Sequence, residues 1–200
     1  EWIFFHLHCK TVGYHNDMYP PSAQGQAREV PVQDQVDEYE VIGPDGYGYP
    51  IYALKQNHKA LYGSLISEQD MAKAYDDGNP YVNRDPRFYR DIIYHGSMFK
   101  GKWINTATGA DAINAANSTS TGYFTRKYFD GYYTKGMSGN WNFDAPLIRL
   151  ATIYLVYAEA VTRSKGATPE VYNLMNELRA RSFMAPIPPA DETNKELLLD

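Results

Sequence analysis

The segment from Asp144 to Lys165, DAPLIRLATIYLVYAEAVTRSK, carries apolar residues at helical spacing on nearly every side. Its main stripe recurs at steps of three and four residues, and a second apolar face lies beside it. Asp144 can cap the first turn, Pro146 is tolerated there, and Gly166 stands where a left-handed stop belongs. The pattern predicts one helix over this segment. Because one flat partner cannot cover both faces, we expect the helix to pack between neighbours. The stripe consists of Leu147, Leu150, Tyr154, Tyr157, Ala158 and Val161, and the second face of Ile148, Ala151 and Leu155.

A second helix is predicted directly after the first. Thr168 and Pro169 supply a cap and a first-turn proline, and an apolar stripe then continues to about Ser182. Residues 144–182 are therefore predicted to form an antiparallel helix hairpin. The hairpin has the shape of a tetratricopeptide-like unit, and such units need stacked neighbours to bury both faces. The stripe of the second helix consists of Val171, Leu174, Met175 and Leu178.

The remaining part, residues 1–143, is rich in turn signals and poor in long regular elements. We predict a strand in the first nine residues, a short helix over Pro31–Glu40, and a helix from a Ser67 cap to Gly78. Thr106–Thr121 is small and polar, which indicates a surface loop. The predicted fold is mostly α, with long, loop-rich and strand-poor insertions. Since the chain opens inside a strand, we expect it to be a piece of a larger protein.

Composition and charge restrict the function. The formal net charge of the 200 residues is -5, and the Lys and Arg residues are scattered, which argues against nucleic-acid binding. No apolar run approaches the length needed to span a bilayer. The single cysteine, Cys9, leaves no possibility of an internal disulfide framework.

Tyrosine is the outlier of the composition, with 18 residues against 8 Phe and 3 Trp. Four aromatic residues stand in loop-like segments outside any helical stripe: Tyr47, Tyr49, Trp103 and Trp141. An aromatic ring offers a flat apolar platform to the C–H face of a sugar, while nearby amides can satisfy its hydroxyls. These four residues are the candidate ligand-binding residues, with oligosaccharide as the ligand. Tyr123, Phe124 and Tyr128 are instead predicted to fill the protein's own core.

Two catalytic or metal-binding alternatives receive less support from the pattern. His6, His8 and Cys9 include good metal ligands, but on a strand Cys9 points away from the two histidines, so no metal site is predicted. A glycoside hydrolase needs two carboxylates flanking the scissile bond. The available acids stand on polar helix faces or helix ends, where solvation explains them. They are Asp37, Glu38, Glu40, Asp76 and Asp77.

Several strings in this chain, in their order and spacing, resemble the C-terminal part of the SusD/RagB family. They are PVQDQVDEYEVIGPDG (Pro31–Gly46), RDPRFYRDIIYHGS (Arg84–Ser97), TGYFTRKYFD (Thr121–Asp130), PLIRLATIYLVYAEAV (Pro146–Val161) and NELRARS (Asn176–Ser182). The resemblance extends from about Glu1 to Ser182. One departure is Thr152, which stands where the family usually has an acidic residue.

The resemblance implies a SusD/RagB-like helical fold, with residues 1–143 as the loop-rich, ligand-facing part and 144–182 as the scaffold hairpin. It also implies a non-enzymatic lipoprotein on the outer membrane surface. Such a protein binds an oligosaccharide and delivers it to a SusC-like TonB-dependent transporter. The lipid anchor would lie outside this segment, and no cofactor is expected. The alternatives are a helical-repeat module that binds a protein and, with less support, a glycoside hydrolase.

Overall fold

The structure, a computed structural model, describes residues 2–10, 14–51, 66–127 and 142–187. The helices of this part are α1 Tyr14–Met18, α2 Gln33–Asp37, α3 Glu68–Ala74, α4 Pro86–Asp91, α5 Leu150–Lys165 and α6 Pro169–Arg181. Its strands are β1 Trp2–Lys10, β2 Val41–Ile42, β3 Gly48–Tyr49, β4 Ile92–Ile93, β5 Met98–Phe99, β6 Lys102–Trp103, β7 Phe124–Thr125 and β8 Asn142–Arg149. The strands from β2 to β7 are two residues long. The prediction of a mostly helical, strand-poor chain is therefore confirmed, and so is the strand at the start.

The chain divides into two compact units, each built from segments that are distant in sequence. The hairpin unit consists of Glu1–Phe5, Asp37–Pro86 and Pro146–Asp200, and the loop unit of His6–Val36 and Arg87–Ala145. The described strands pair in twos, as β1 with β8, β2 with β3, β4 with β7 and β5 with β6. The assignment of residues 1–143 as the ligand-facing part and of residues 144–182 as the scaffold stays a prediction.

In the hairpin unit, α5 and α6 pack against each other as predicted. Ala158 and Val161 of α5 meet Val171 of α6 in a buried cluster. The hydroxyl of Thr168 accepts a hydrogen bond from the Val171 N–H, so the predicted cap is confirmed. Gly166 follows α5 with a φ of 85°, a conformation that side chains with a Cβ rarely adopt. The end of α5 and the start of α6 were therefore predictable from the local sequence.

The predicted start of α5 is wrong. The helix begins at Leu150, and the residues from Asn142 to Arg149 form β8 instead. Pro146 favours extended geometry in the residue before it and has no N–H to donate. Both properties suit an edge strand better than a helix interior. Pairing with β1 then holds this stretch extended.

The predicted helix that Ser67 caps begins as predicted but ends early. Ser67 caps α3 by accepting a hydrogen bond from the Asp70 N–H at 3.1 Å. The helix ends at Ala74 rather than Gly78, because Asp76 uses its carboxylate to accept the Gly78 N–H at 2.8 Å in a turn. The predicted helix over Pro31–Glu40 is reduced to α2.

The core of the loop unit is aromatic and aliphatic. Tyr19 and Phe99 meet edge to face with ring centroids 5.0 Å apart, and Phe124 and Ile104 are buried with them. Tyr123 and Phe124 are buried, which confirms their predicted core role, while Tyr128 lies outside the described residues. This core supports the hairpin formed by β5 and β6.

Thr106–Thr121 forms turns without a helix or strand, as predicted, but it is firmly anchored. Asp111 is buried and accepts a hydrogen bond from the Ser22 N–H at 2.8 Å. Thr119 is buried and accepts N–H donors from Thr121 and Gly122, both at 3.1 Å. The loop thus obtains its order from a few polar side chains that bond to backbone. Within the described part of the chain, no helix combines the length and apolarity needed to cross a membrane.

Candidate functional site

The structure places three of the four candidate aromatic residues, and they lie in different surroundings. Trp103 lies on β6 of the loop unit with 70% of its surface exposed. Tyr47 is half-buried in a turn of the hairpin unit, and Tyr49 on β3 is buried with 1% exposed. The Tyr49 hydroxyl donates to the Asp45 carboxylate at 2.6 Å, so this ring has no face to offer a ligand. Trp141 lies outside the described residues.

Trp103 is presented by a tight β-hairpin. Strands β5 and β6 are antiparallel, with Met98 opposite Trp103 and Phe99 opposite Lys102. The two residues between the strands, Lys100 and Gly101, have φ angles of 48° and 73°. Positive φ at both central positions is what a two-residue hairpin turn with the native strand twist requires. The turn therefore fixes the position of Trp103 relative to Met98.

The two faces of this hairpin differ sharply in exposure. Met98 is 48% exposed and stands directly opposite Trp103, so a thioether and an indole form an exposed apolar platform. Phe99 is buried against Tyr19, which anchors the hairpin to the core. Exposing two large apolar side chains together is unfavourable in water, and such pairs are typical of binding surfaces.

A cleft of about 520 Å³ lies beside the platform, within the loop unit. Its lining combines aromatic rings, a thioether, turn glycines and two cations, with no carboxylate among the lining residues. They are Tyr89, Tyr94, Gly96, Ser97, Met98, Lys100, Gly101, Trp103 and Arg126. The volume of this cleft falls within the range of small-molecule sites.

Neighbouring rings and a turn hold the tyrosine side of the cleft. Tyr94 stacks on the buried Phe88 with ring centroids 5.1 Å apart, and Tyr89 meets Phe88 edge to face at 5.3 Å. Ser97 closes the turn after Tyr94, accepting its N–H at 3.0 Å and donating to its carbonyl at 2.7 Å. This wall is therefore preorganised by the fold.

The two cations of the cleft come from different elements. Arg126 follows β7, and its backbone N–H donates to the Asp91 carbonyl at 2.8 Å while its guanidinium donates to the Tyr89 carbonyl at 3.3 Å. Lys100 sits at the hairpin tip, with its ammonium 5.0 Å from the centre of the Tyr19 ring. Both residues line the same cleft as Met98 and Trp103.

The acids considered for glycoside hydrolysis lie in the other unit. Asp37, Glu38, Glu40, Asp76 and Asp77 all belong to the hairpin unit, and none of them lines the cleft. Glu40 is bound to an arginine, and Asp76 closes a turn. In the described part of the chain, no three residues of the types His, Cys, Asp and Glu are grouped as a metal site would require.

The sequence identified Trp103 as a candidate, but it did not identify most of the residues that line the cleft with it. Tyr89, Tyr94, Met98 and Arg126 stand in segments that resemble structural motifs, and nothing local marks them as lining a cleft. The signal that could have identified the hairpin is the string MFKGKW, in which a Lys-Gly pair separates two short apolar-containing strands.

The sequence model of the SusD family matches residues 4–200, nearly the whole chain. This chain therefore belongs to the SusD family, as the resemblance of its motifs predicted. The comparison with curated proteins found no match.

Two solved structures from Bacteroides fragilis are similar to this chain in fold. A SusD-like carbohydrate binding protein is 21% identical with a TM-score of 0.66, and the alignment covers 98% of this chain and 37% of that one. A SusD-like protein is 24% identical with a TM-score of 0.64, covering 99% of this chain and 39% of that one. The chain thus spans little more than a third of the length of these relatives, and its SusD-like, mostly helical fold is confirmed.

Proposed function

We propose that this chain contributes an oligosaccharide-binding surface, centred on the Trp103 cleft, to a SusD-family protein of the cell surface. The observation that carries the proposal is the exposed Trp103 paired with Met98 at the rim of a cleft of about 520 Å³. One solved relative with this fold is described as a carbohydrate binding protein, which supports the same ligand class.

The chemistry of the cleft suits a sugar. The indole face can cover the apolar C–H face of a pyranose ring, and Met98 extends the apolar contact. Tyr89 and Tyr94 are aromatic side chains with hydroxyl groups, which can exchange hydrogen bonds with sugar hydroxyls at the cleft wall. A preformed pocket loses little conformational entropy when it binds, because its walls are already ordered.

The wider role follows from the family. In this proposal the complete protein is a non-enzymatic, surface-exposed outer-membrane lipoprotein that passes bound glycan to a SusC-like TonB-dependent transporter. No cofactor takes part. If the protein were instead a glycoside hydrolase, incubation with polysaccharides would release new reducing ends, which we do not expect.

The test is titration calorimetry of oligosaccharides into the full-length protein and its Trp103→Ala variant. Loss of one stacked ring should weaken binding about tenfold, corresponding to roughly 1.4 kcal/mol. Phe183→Ala is the matched control, because Phe183 is an exposed aromatic residue of the other unit. Equal affinity of Trp103→Ala and the unmodified protein would contradict the proposed site.

A second candidate function, binding of a protein partner, is favoured by one observation. Ile153, Leu155 and Val156 are large apolar residues of α5 that are exposed in the described structure. Such a face suits a helical-repeat interaction. Leu155→Glu in the full-length protein should then abolish co-purification with that protein partner while leaving glycan affinity unchanged.

A further inference from the structure

The charge of the Trp103 cleft differs from that of the chain as a whole. The 200 residues carry a formal net charge of -5, yet the cleft is lined by Lys100 and Arg126 without any Asp or Glu. A concave site lined by charges of one sign concentrates its field and raises the local concentration of ligands of opposite sign. This asymmetry favours an anionic ligand over a neutral one.

Arg126 is held in place but makes no ion pair with any described residue. Its backbone is fixed by the N–H bond to Asp91 next to the β4–β7 pair, and one guanidinium nitrogen donates to the Tyr89 carbonyl. A guanidinium has five N–H donors in a planar fork, and this fork matches two oxygens of a carboxylate or sulfate. The described contacts of Arg126 use only a part of these donors.

Two other arginines of the loop unit are paired with acids. Arg28 lies 3.4 Å from the Asp17 carboxylate, and Arg90 lies 3.1 Å from the Asp91 carboxylate. Pairing with an acid explains these two arginines structurally, and Arg126 differs from both of them. Its charge faces a cleft rather than an acid.

Lys100 adds a second positive charge to the same lining. It stands on the hairpin that carries Trp103, and its ammonium lies over the Tyr19 ring. A lysine stem is flexible and its ammonium is a compact charge, so it can contact an anionic oxygen without demanding one geometry. Aromatic platform and cations together match a sugar that has both an apolar ring face and an acidic group.

We infer that the Trp103 cleft selects anionic glycans, which bear carboxylate or sulfate groups, through Arg126 and Lys100 while Trp103 stacks on the sugar ring. This inference rests on the proposed glycan-binding function and adds the ligand's charge to it. A carboxylate is planar and a sulfate is tetrahedral, but each presents a pair of negative oxygens that the arginine fork can bind.

The experiment compares matched pairs of ligands with the full-length protein at low salt. Trigalacturonic acid is set against its methyl ester, and a carrageenan tetrasaccharide against its desulfated form. At least one acidic ligand should bind about tenfold more tightly than its neutral partner, and this preference should shrink in high salt because ions screen exposed charges. The pair that shows the preference identifies the acidic group as carboxylate or sulfate.

The variants connect the preference to the two cations. Arg126→Gln and Lys100→Gln should each reduce the charge preference, and Arg126→Lys should keep part of it because the charge remains. Lys102→Gln is the matched control, since Lys102 lies on the same hairpin, donates to the Ser22 carbonyl at 2.7 Å and does not line the cleft. Circular dichroism shows whether Arg126→Gln folds. If it does not fold, the Lys100→Gln variant alone tests the role of the cations.

The outcomes separate this inference from the proposed function. Equal binding of acidic and neutral ligands, both weakened by Trp103→Ala, overturns the charge selection and leaves glycan binding at the cleft standing. A charge preference that survives in the Arg126→Gln, Lys100→Gln double variant also overturns it. Absence of any binding that depends on Trp103 overturns both.

Discussion

At the scale of single residues, Gly25 shows how a close backbone approach dictates residue type. A Cβ at this position would overlap the backbone carbonyl group of Tyr19 and lie 2.7 Å from its Cα. We expect Gly25→Ala to lower the free energy of unfolding by about 1 to 3 kcal/mol, because the backbone must shift to relieve the overlap. Urea denaturation monitored by fluorescence measures this change.

The matched control for this substitution is Gly78→Ala. The Cβ added at Gly78 would meet only the flexible Asp76 carboxylate, at 3.3 Å. Its effect should stay within about 0.5 kcal/mol of the unmodified protein, as for most surface substitutions. Equal effects of the two variants would show that the overlap with Tyr19 does not determine the need for glycine.

Tyr49 and Trp103 show why local pattern could not separate a core ring from a surface ring. Each lies on a two-residue strand next to glycines and polar residues, so no periodicity is long enough to define a buried face. Tyr49 is buried because Gly43 leaves room for its ring and Asp45 accepts its hydroxyl. Trp103 is exposed because Phe99, not Trp103, fills the core position.

At the scale of elements, local signals predicted the two helix ends that border the α5–α6 connection but not the start of α5. The Thr168 cap, the Pro169 first turn and the Gly166 stop depend only on neighbours in sequence, and all three are confirmed. The β8 segment depends on β1, a partner at the far end of the chain. The apolar residues continue without a break from β8 into α5, so the local sequence contains no sign that β8 pairs with β1.

The Thr168 cap is testable by substitution. Thr168→Ala leaves the Val171 N–H without its side-chain acceptor and should lower the free energy of unfolding by about 1 kcal/mol. Thr152→Ala is the matched control, because Thr152 is exposed in the first turn of α5 and alanine has the higher helix propensity. Thermal unfolding should therefore show a lower Tm for Thr168→Ala and an equal or higher Tm for Thr152→Ala. A Tm that is unchanged in Thr168→Ala would contradict the capping role.

At the scale of the whole molecule, each unit is assembled from segments that are far apart in sequence. In the loop unit, the Ser22 N–H bonds to Asp111, and the Thr121 hydroxyl donates to the Pro31 carbonyl at 2.7 Å. Such contacts join backbone groups to side chains across long loops, and no periodicity announces them. Family motifs predicted which fold the chain adopts, while the cleft arises from tertiary contacts that only the structure displays.

In the hairpin unit, one ion pair joins two such segments. Arg179 of α6 binds both carboxylate oxygens of Glu40, at 2.7 and 2.6 Å, and donates to the Ala185 carbonyl at 2.6 Å. The two side chains are only 15% and 18% exposed. A Cβ at Gly48 would overlap the Glu40 carboxylate, so the glycine makes room for the pair.

We expect this pair to couple the segments energetically. Glu40→Gln and Arg179→Met should each lower the free energy of unfolding by about 2 kcal/mol, since the first removes the negative charge and one acceptor oxygen and the second leaves the Glu40 carboxylate without its arginine. The double variant should lose less than the sum, giving a coupling of about 1 to 3 kcal/mol in urea denaturation.

The exposed pair of Glu159 and Arg163, at 2.8 Å within α5, is the matched control. Its coupling should be about 0.3 to 0.5 kcal/mol, because solvent screens both charges. Equal coupling in the two cycles would contradict the role of the Glu40–Arg179 pair in holding the two segments together.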